Sequence, residues 1–395
     1  MTDSTELLSF FMDKQESFPF IFDYENKDIK NLIHKFYKEI KKVDSNKKRL
    51  PFTKNNRKKQ NYATNNSLID LLDSDFTPPI IKKEMDQIND VIEYSTNINN
   101  IPITINFLKI ENENIDYNSY FQQICLWLLY ILPYSNSKMK SFNLVLYLSK
   151  HKKNIPKNQK VIFNNIHCNT AVTYACAING SCLIYRKEEW FKVLIHETMH
   201  AFCLDFSGLD YKQLRKKMKT IFPLNIDFEI SESYSEFWAT ILNSLFKSYI
   251  LTKDDKDIVD FDSFYYIFSS MIYFENAYSL FQTLKILDFM NVHEYKDLYE
   301  NKVIFKQKTN VFEYYILKMI LLFNYIDFLL LCNDNNTNCI NFQKSQTMIN
   351  KIFTFIKSKY TDQNLLRALE YMKPIYNGVD DDNFIKMNMR MTIFE

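Results

Sequence analysis

Residues 187–208 read KEEWFKVLIHETMHAFCLDFSG, with helical spacing from about Lys187 to Asp205 and a glycine, Gly208, placed to cap the end. Trp190, Phe191, Val193, Leu194, Ile195, Met199, Ala201, Phe202, Cys203 and Leu204 surround the polar HETMH on every side, which predicts a helix buried in the core. His196 and His200 are four residues apart, so they project from one face, separated by about 40° of rotation, and both imidazoles can reach one ion. Glu197 points about 100° away from His196, which suits a base acting on metal-bound water better than a ligand. Burying two histidines and a glutamate without partners is costly, and a shared metal with its water satisfies all three. A chance HExxH is expected on the order of once in 200 chains of this composition, so the surroundings must carry the argument.

Upstream, Phe142–Ser149, Val161–Asn164, Ala171–Tyr174 and Ser181–Arg186 are short apolar or β-rich runs that predict a small sheet feeding this helix. Downstream the texture turns helical: Tyr211–Thr220, Glu232–Tyr249, Phe264–Phe289, Asn310–Cys332 and Thr347–Lys359 show helical spacing, with Asn310 and Glu313 in a capping pattern. The class expected is therefore α+β and helix-rich: a small mixed sheet, then the active-site helix, then a mostly helical C-terminal lobe. We divide the chain into an N-terminal helical region (1–100), a catalytic lobe (101–245) and a helical lobe (246–395), with a break in the Asn-rich Thr96–Pro102. From Ser45 to Leu68 there is no acidic residue but several Lys and Arg, which predicts a basic flexible arm over about 45–68.

Only 3 glycines and no Gly-rich phosphate loop argue against a nucleotide-driven enzyme. A net charge of +2 gives no global field toward nucleic acid or lipid, so nucleic-acid binding would have to use the arm at Lys47–Lys59. Seven cysteines (Cys125, Cys168, Cys176, Cys182, Cys203, Cys332, Cys339) form no regular framework, and we expect reduced thiols without disulfides. The N-terminus lacks the layout of a secretory signal, so a cytoplasmic location is expected. The apolar run Tyr314–Cys332 is interrupted by Lys318, Asn324 and Asp327, which predicts a buried helix and no membrane span.

A catalytic zinc has three protein ligands, and the third is sought in SESYSEFWATIL, where Glu232 and Glu236 lie one helical turn apart. With these residues the chain resembles the gluzincin class of zinc metallopeptidases over about Asn169–Leu245. The resemblance implies one catalytic Zn²⁺ held by His196, His200 and Glu232, with Glu236 orienting a ligand histidine, Tyr234 and Ser235 beside it and Glu197 as the general base. It also implies a peptide or protein substrate. The stretch 201–231 is longer than the spacing typical of that class, an inserted helix at Tyr211–Thr220 would account for it, and Glu236 and Glu229 remain alternatives as third ligand.

In that class an edge strand above the zinc holds the extended substrate, and here Asn169, Thr170, Ala171, Val172 and Thr173 occupy the corresponding place; an ordinary sheet strand is the alternative. For an oxyanion stabiliser the candidates are His293, Tyr278, Tyr314 and Tyr315, with no basis for choosing among them. Cys203, on the same helical face as the two histidines, would make a closed structural zinc site if it were a ligand, but a buried cysteine is more often a small hydrophobe. His34, His151, His167 and His293 read as ordinary residues. The Asn-, Lys-, Ile- and Tyr-rich background also resembles uncharacterised metallopeptidase-like proteins of large DNA viruses. This leaves two further readings beside the enzyme: an inactive metalloprotease-like structural or virion interaction protein, and a nucleic-acid binder acting through the arm.

Overall fold

The computed structural model describes residues 2–18, 24–58, 74–110, 114–135, 138–210, 212–254 and 260–395. Its sheet strands are β1 (Phe52–Lys58), β2 (Asp90–Ile98), β3 (Ile101–Leu108), β4 (Ser141–Ser149), β5 (Ala171–Thr173) and β6 (Asn179–Arg186), ordered β1-β2-β3-β4-β6-β5. Helices α1 (Asp3–Asp13), α2 (Lys27–Lys47), α3 (Pro79–Asp86) and α4 (Tyr117–Ile131) are interleaved with the first strands. Then follow α5 (Trp190–Ala201), α6 (Lys212–Ile221), α7 (Ile230–Asp254) and α8 (Phe261–Phe289). A π-helix (Phe312–Leu317) runs into α9 (Lys318–Phe323), and α10 (Tyr325–Asn335), α11 (Gln346–Lys359) and α12 (Gln363–Asn377) follow, with one-turn helices at Asn165–Cys168, Asp297–Glu300 and Phe384–Met387 left unnumbered. The α+β expectation therefore holds.

The sheet is mixed. β3, β4 and β6 run parallel, while β1, β2 and β5 pair antiparallel with their neighbours. Parallel β3 and β4 require a crossover, and α4 supplies it. The interior strand β6 is buried along nearly its whole length, which is why SCLIYR shows no alternation. A large core on one face unites residues from Leu7 to Ile393, and a smaller one, with Ile81, Val145, Val172 and Leu183, sits between the other face and α3. The boundary drawn at residue 100 falls in the turn of the β2–β3 hairpin, where Asn99 and Asn100 take φ of 53° and 63°, so the sheet runs across it.

The arm expected at 45–68 needs correcting. Lys47 ends α2, and residues 52–58 form β1, every residue exposed and paired with β2 from Phe52↔Thr96 to Lys58↔Asp90. Cross-strand ion pairs, Arg57 to Glu93 at 2.8 Å and Lys58 to Asp90 at 2.6 Å, hold it. FTKNNRK has no apolar alternation to announce a strand, and charged side chains are the usual guard on a sheet edge. Residues 59–68 of the arm lie outside the described residues. Val161–Asn164 makes only a bridge from Phe163 to Gln307.

Among the described residues no single helix is long and apolar enough to cross a membrane; Phe312–Phe323 and Tyr325–Asn335 pass that test only as a pair bent by 88°. The bend falls at Asn324, so the apolar run expected as one helix is divided, and its start has no side-chain cap from Asn310: Gln307 Oε1 accepts the Phe312 N–H instead, at 2.8 Å.

Candidate metal centre

Helix α5 packs against α7, so HETMH meets the SESYSEF turns across one helix interface. The Nε2 atoms of His196 and His200 lie 3.2 Å apart. Glu232 Oε2 stands 3.3 Å from the first and 3.6 Å from the second. Ligand atoms held roughly 2.0–2.2 Å from a tetrahedral ion lie roughly 3.3–3.6 Å from each other, so these three already occupy the corners of such a set. Among the described residues this is the one group of three such side chains placed to hold a metal ion.

The far side of each ring strengthens that reading. His200 Nδ1 lies 2.5 Å from Asp205 Oδ2. His196 Nδ1 lies 2.9 Å from Glu236 Oε2, an ion-pair approach that is off the ring N–H axis. An ionised carboxylate only accepts, so each Nδ1 carries the proton and each Nε2 its lone pair. Two lone pairs and a carboxylate oxygen then face one another, and a cation between them satisfies all three. Tyr314, from the π-helix, donates its hydroxyl to the same Glu232 Oε2 at 3.1 Å.

Charge follows the geometry. Burial opposes protonation of His200, but Glu232 and Asp205 outweigh it and raise its pKa well above the usual histidine value. His196 is raised by the same contest with Glu232 and Glu236. Burial would raise the Glu232 carboxyl, yet His200 and His196 hold it far below its usual range. Glu236 is likewise lowered, to about 2, because Lys192 and His196 overcome the burial. A bound cation would replace the protons these rings attract. Glu197 differs: burial raises its pKa, with the two histidines opposing. It lines a small cavity beside the cluster with His196, Tyr314 and Asn169.

Of the carboxylates considered as third ligand, Glu232 joins the histidines. Glu236 stands behind His196, with its other oxygen ion-paired to Lys192. Glu229 is turned to Arg215, and its N–H donates to Glu313 Oε1 at 3.0 Å. Asn169, Thr170 and Ala171 line the cavity, Val172 packs into the core on the opposite face of the sheet, and the Thr173 hydroxyl donates to Ser181 O at 2.7 Å. Asn169 Oδ1 also accepts from the Thr309 hydroxyl at 2.9 Å. Tyr234 is buried and donates to Ile340 O at 2.7 Å, behind the site. Of the four oxyanion candidates only Tyr314 reaches the cluster; Tyr278 and Tyr315 bond to the C-terminal segment at Asn388 and Met389, and His293 is exposed.

Helix α5 is shorter than expected at both ends. Cys203, at φ 59°, reverses the chain: its N–H donates to His200 O at 3.1 Å and that of Leu204 to Met199 O at 2.9 Å, a Schellman motif. Gly208 therefore lies beyond the cap. The expectation of no disulfides is also overturned, since Cys176 and Cys203 form one, with Cα atoms 5.0 Å apart. This removes Cys203 as a ligand and ties the turn after β5 to the end of the metal helix. The remaining five cysteines are free and buried.

Two residues of the site escaped the sequence reading. Asp205 reaches His200 only because the chain reverses at Cys203, and nothing local announces that. Lys192 did carry a signal: it is the one lysine inside an apolar helix, one turn before His196. No protein family, curated protein or solved structure matches the chain.

Proposed function

We propose that the chain is a zinc-dependent metallopeptidase of gluzincin type, with His196, His200 and Glu232 holding the ion and Glu197 as general base. The observation that carries this reading is the convergence of two imidazole Nε2 atoms and one carboxylate oxygen at tetrahedral spacing, with both Nδ1 atoms engaged by carboxylates. Two nitrogens and one oxygen, with no fourth protein ligand among the described residues, suit zinc in a catalytic role. The bound ion supplies Lewis-acid polarisation of a carbonyl and makes water acidic enough to be a nucleophile near neutral pH.

The protein's own groups supply the rest. Glu197, its pKa raised by burial, takes a proton from the attacking water and returns it to the leaving amine. Tyr314 orients Glu232 through its hydroxyl and is the oxyanion stabiliser of this reading. β5 is the last strand of the sheet among the described residues, the position from which an extended peptide would be held by main-chain bonds.

The test is Glu197→Gln. We expect wild type and variant to bind one zinc each, and cleavage of a peptide mixture to fall at least about 100-fold in the variant, the lower end for loss of general acid–base catalysis. Zinc-loaded wild type that cleaves no better than the variant would point to the inactive interaction protein instead.

A further inference from the structure

The cavity beside the cluster measures about 30 Å³, and Asn169, Ala171, Val193, Glu197 and Met391 are among the residues that line it. Met391 is the one of these that comes from the C-terminal segment, far in sequence from the sheet and the metal helices. The C-terminal segment that carries it is buried and tethered along its backbone. The N–H groups of Met391 and Thr392 donate to Glu189 Oε1 at 2.6 and 2.7 Å. Lys318 Nζ donates to Met391 O at 3.1 Å, the Tyr315 hydroxyl to Met389 O at 2.7 Å, and Met389 N to Lys153 O at 2.9 Å. The thioether is held as well, with Met391 Sδ 3.9 Å from Lys192 Nζ. A methionine so fixed is a wall and not a mobile plug.

Side chains of a strand added to β5 alternate between the two faces of the sheet. With a main-chain carbonyl at the metal, the side chain turned toward α5 enters this cavity. A water needs roughly 10–15 Å³ of such space, so the cavity takes about two or three heavy atoms. We infer that Met391 is a specificity-determining residue, restricting the site to peptides with glycine, alanine or serine flanking the scissile bond. The inference rests on the peptidase reading.

Met391→Ala removes three heavy atoms from the wall and Met391→Leu keeps its bulk. A mixed peptide library is digested with each zinc-loaded protein and the cut sites are mapped by mass spectrometry. Affinities for alanine and leucine hydroxamates are measured alongside by calorimetry. Wild type and Met391→Leu are expected to favour alanine over leucine by roughly 10–200-fold, and Met391→Ala to lose at least about 10-fold of that preference. Wild type that accepts leucine as readily as alanine, in cleavage or in hydroxamate binding, overturns the inference even if Met391→Ala does not fold. So does a folded Met391→Ala with unchanged preference. Absence of any cleavage by zinc-loaded wild type is a different failure: it removes the peptidase reading and this inference with it.

Discussion

His196 and His200 stand one turn apart on α5, yet their Nδ1 atoms are held by different kinds of structure. Behind His196 is Glu236, on the long helix α7, one turn from Glu232 and clamped by the buried Lys192. Behind His200 is Asp205, on no helix at all, carried back by the Schellman turn at Cys203 and fixed by the Ser207 N–H, which donates to Oδ1 at 2.9 Å. One half of the centre is therefore rigid because a helix is rigid. The other is rigid because a chain reversal is capped and cross-linked. The difference teaches that two ligands of one motif can have supports of unequal depth: the first is anchored in an ion-paired core, the second in a turn that a few local bonds maintain.

The largest effect is expected where the helix-borne half is broken. Glu236→Gln leaves Lys192, 2% exposed, without its ion-pair partner, and breaking such a pair costs about 3–5 kcal/mol. Denaturant unfolding checks this, and the double variant Lys192→Met with Glu236→Gln should recover most of the loss. A single-variant cost below about 1 kcal/mol would mean that the helix-borne half is no more deeply anchored than the turn-borne one. The turn-borne half is tested by Cys203→Gly, which keeps a residue at ease with the left-handed φ but removes a cross-link spanning 27 residues. We expect a loss of roughly 2–4 kcal/mol, with dithiothreitol lowering the stability of wild type and leaving the variant unchanged.

Asp205→Asn addresses the metal directly. An amide offers His200 Nδ1 a donor as well as an acceptor, so the ring can take the tautomer that puts its proton on Nε2, where the ion should bind. Zinc affinity, measured by competition with a chelator, should fall about 10–100-fold, with a smaller stability change than for Glu236→Gln.

A further test is a pH dependence. Glu313, from the π-helix, accepts the N–H of Glu229 just before α7, and burial pushes its carboxyl up to about 8 from an ordinary 4.5. Between those values the folded protein keeps a proton that the unfolded chain has lost. Its contribution is thus fully present below about 4.5 and declines as pH rises toward about 8. Thermal melts of Glu313→Gln should show a weaker decline over that window than wild type; identical slopes would remove Glu313 from the account.

What could be read in the residues themselves was what helix geometry fixes locally. The spacing of His196 and His200, the offset of Glu197, and the one-turn interval from Glu232 to Glu236 each follow from 3.6 residues per turn, and the apolar surroundings of HETMH foretold burial. The strands at Ser141–Ser149 and Asn179–Arg186 were legible for the same reason, since their apolar runs are continuous. Only the folded chain decided that Glu232 and not Glu229 faces the histidines, because that depends on how α5 and α7 cross. Likewise β1 exists through its pairing with β2, Asp205 serves His200 through a reversal at a non-glycine residue, and Tyr314 is singled out from 26 tyrosines by a π-turn and the packing of a distant helix. These are contacts between residues far apart in sequence or across a chain reversal, so no local period records them, and tertiary packing alone brings them together.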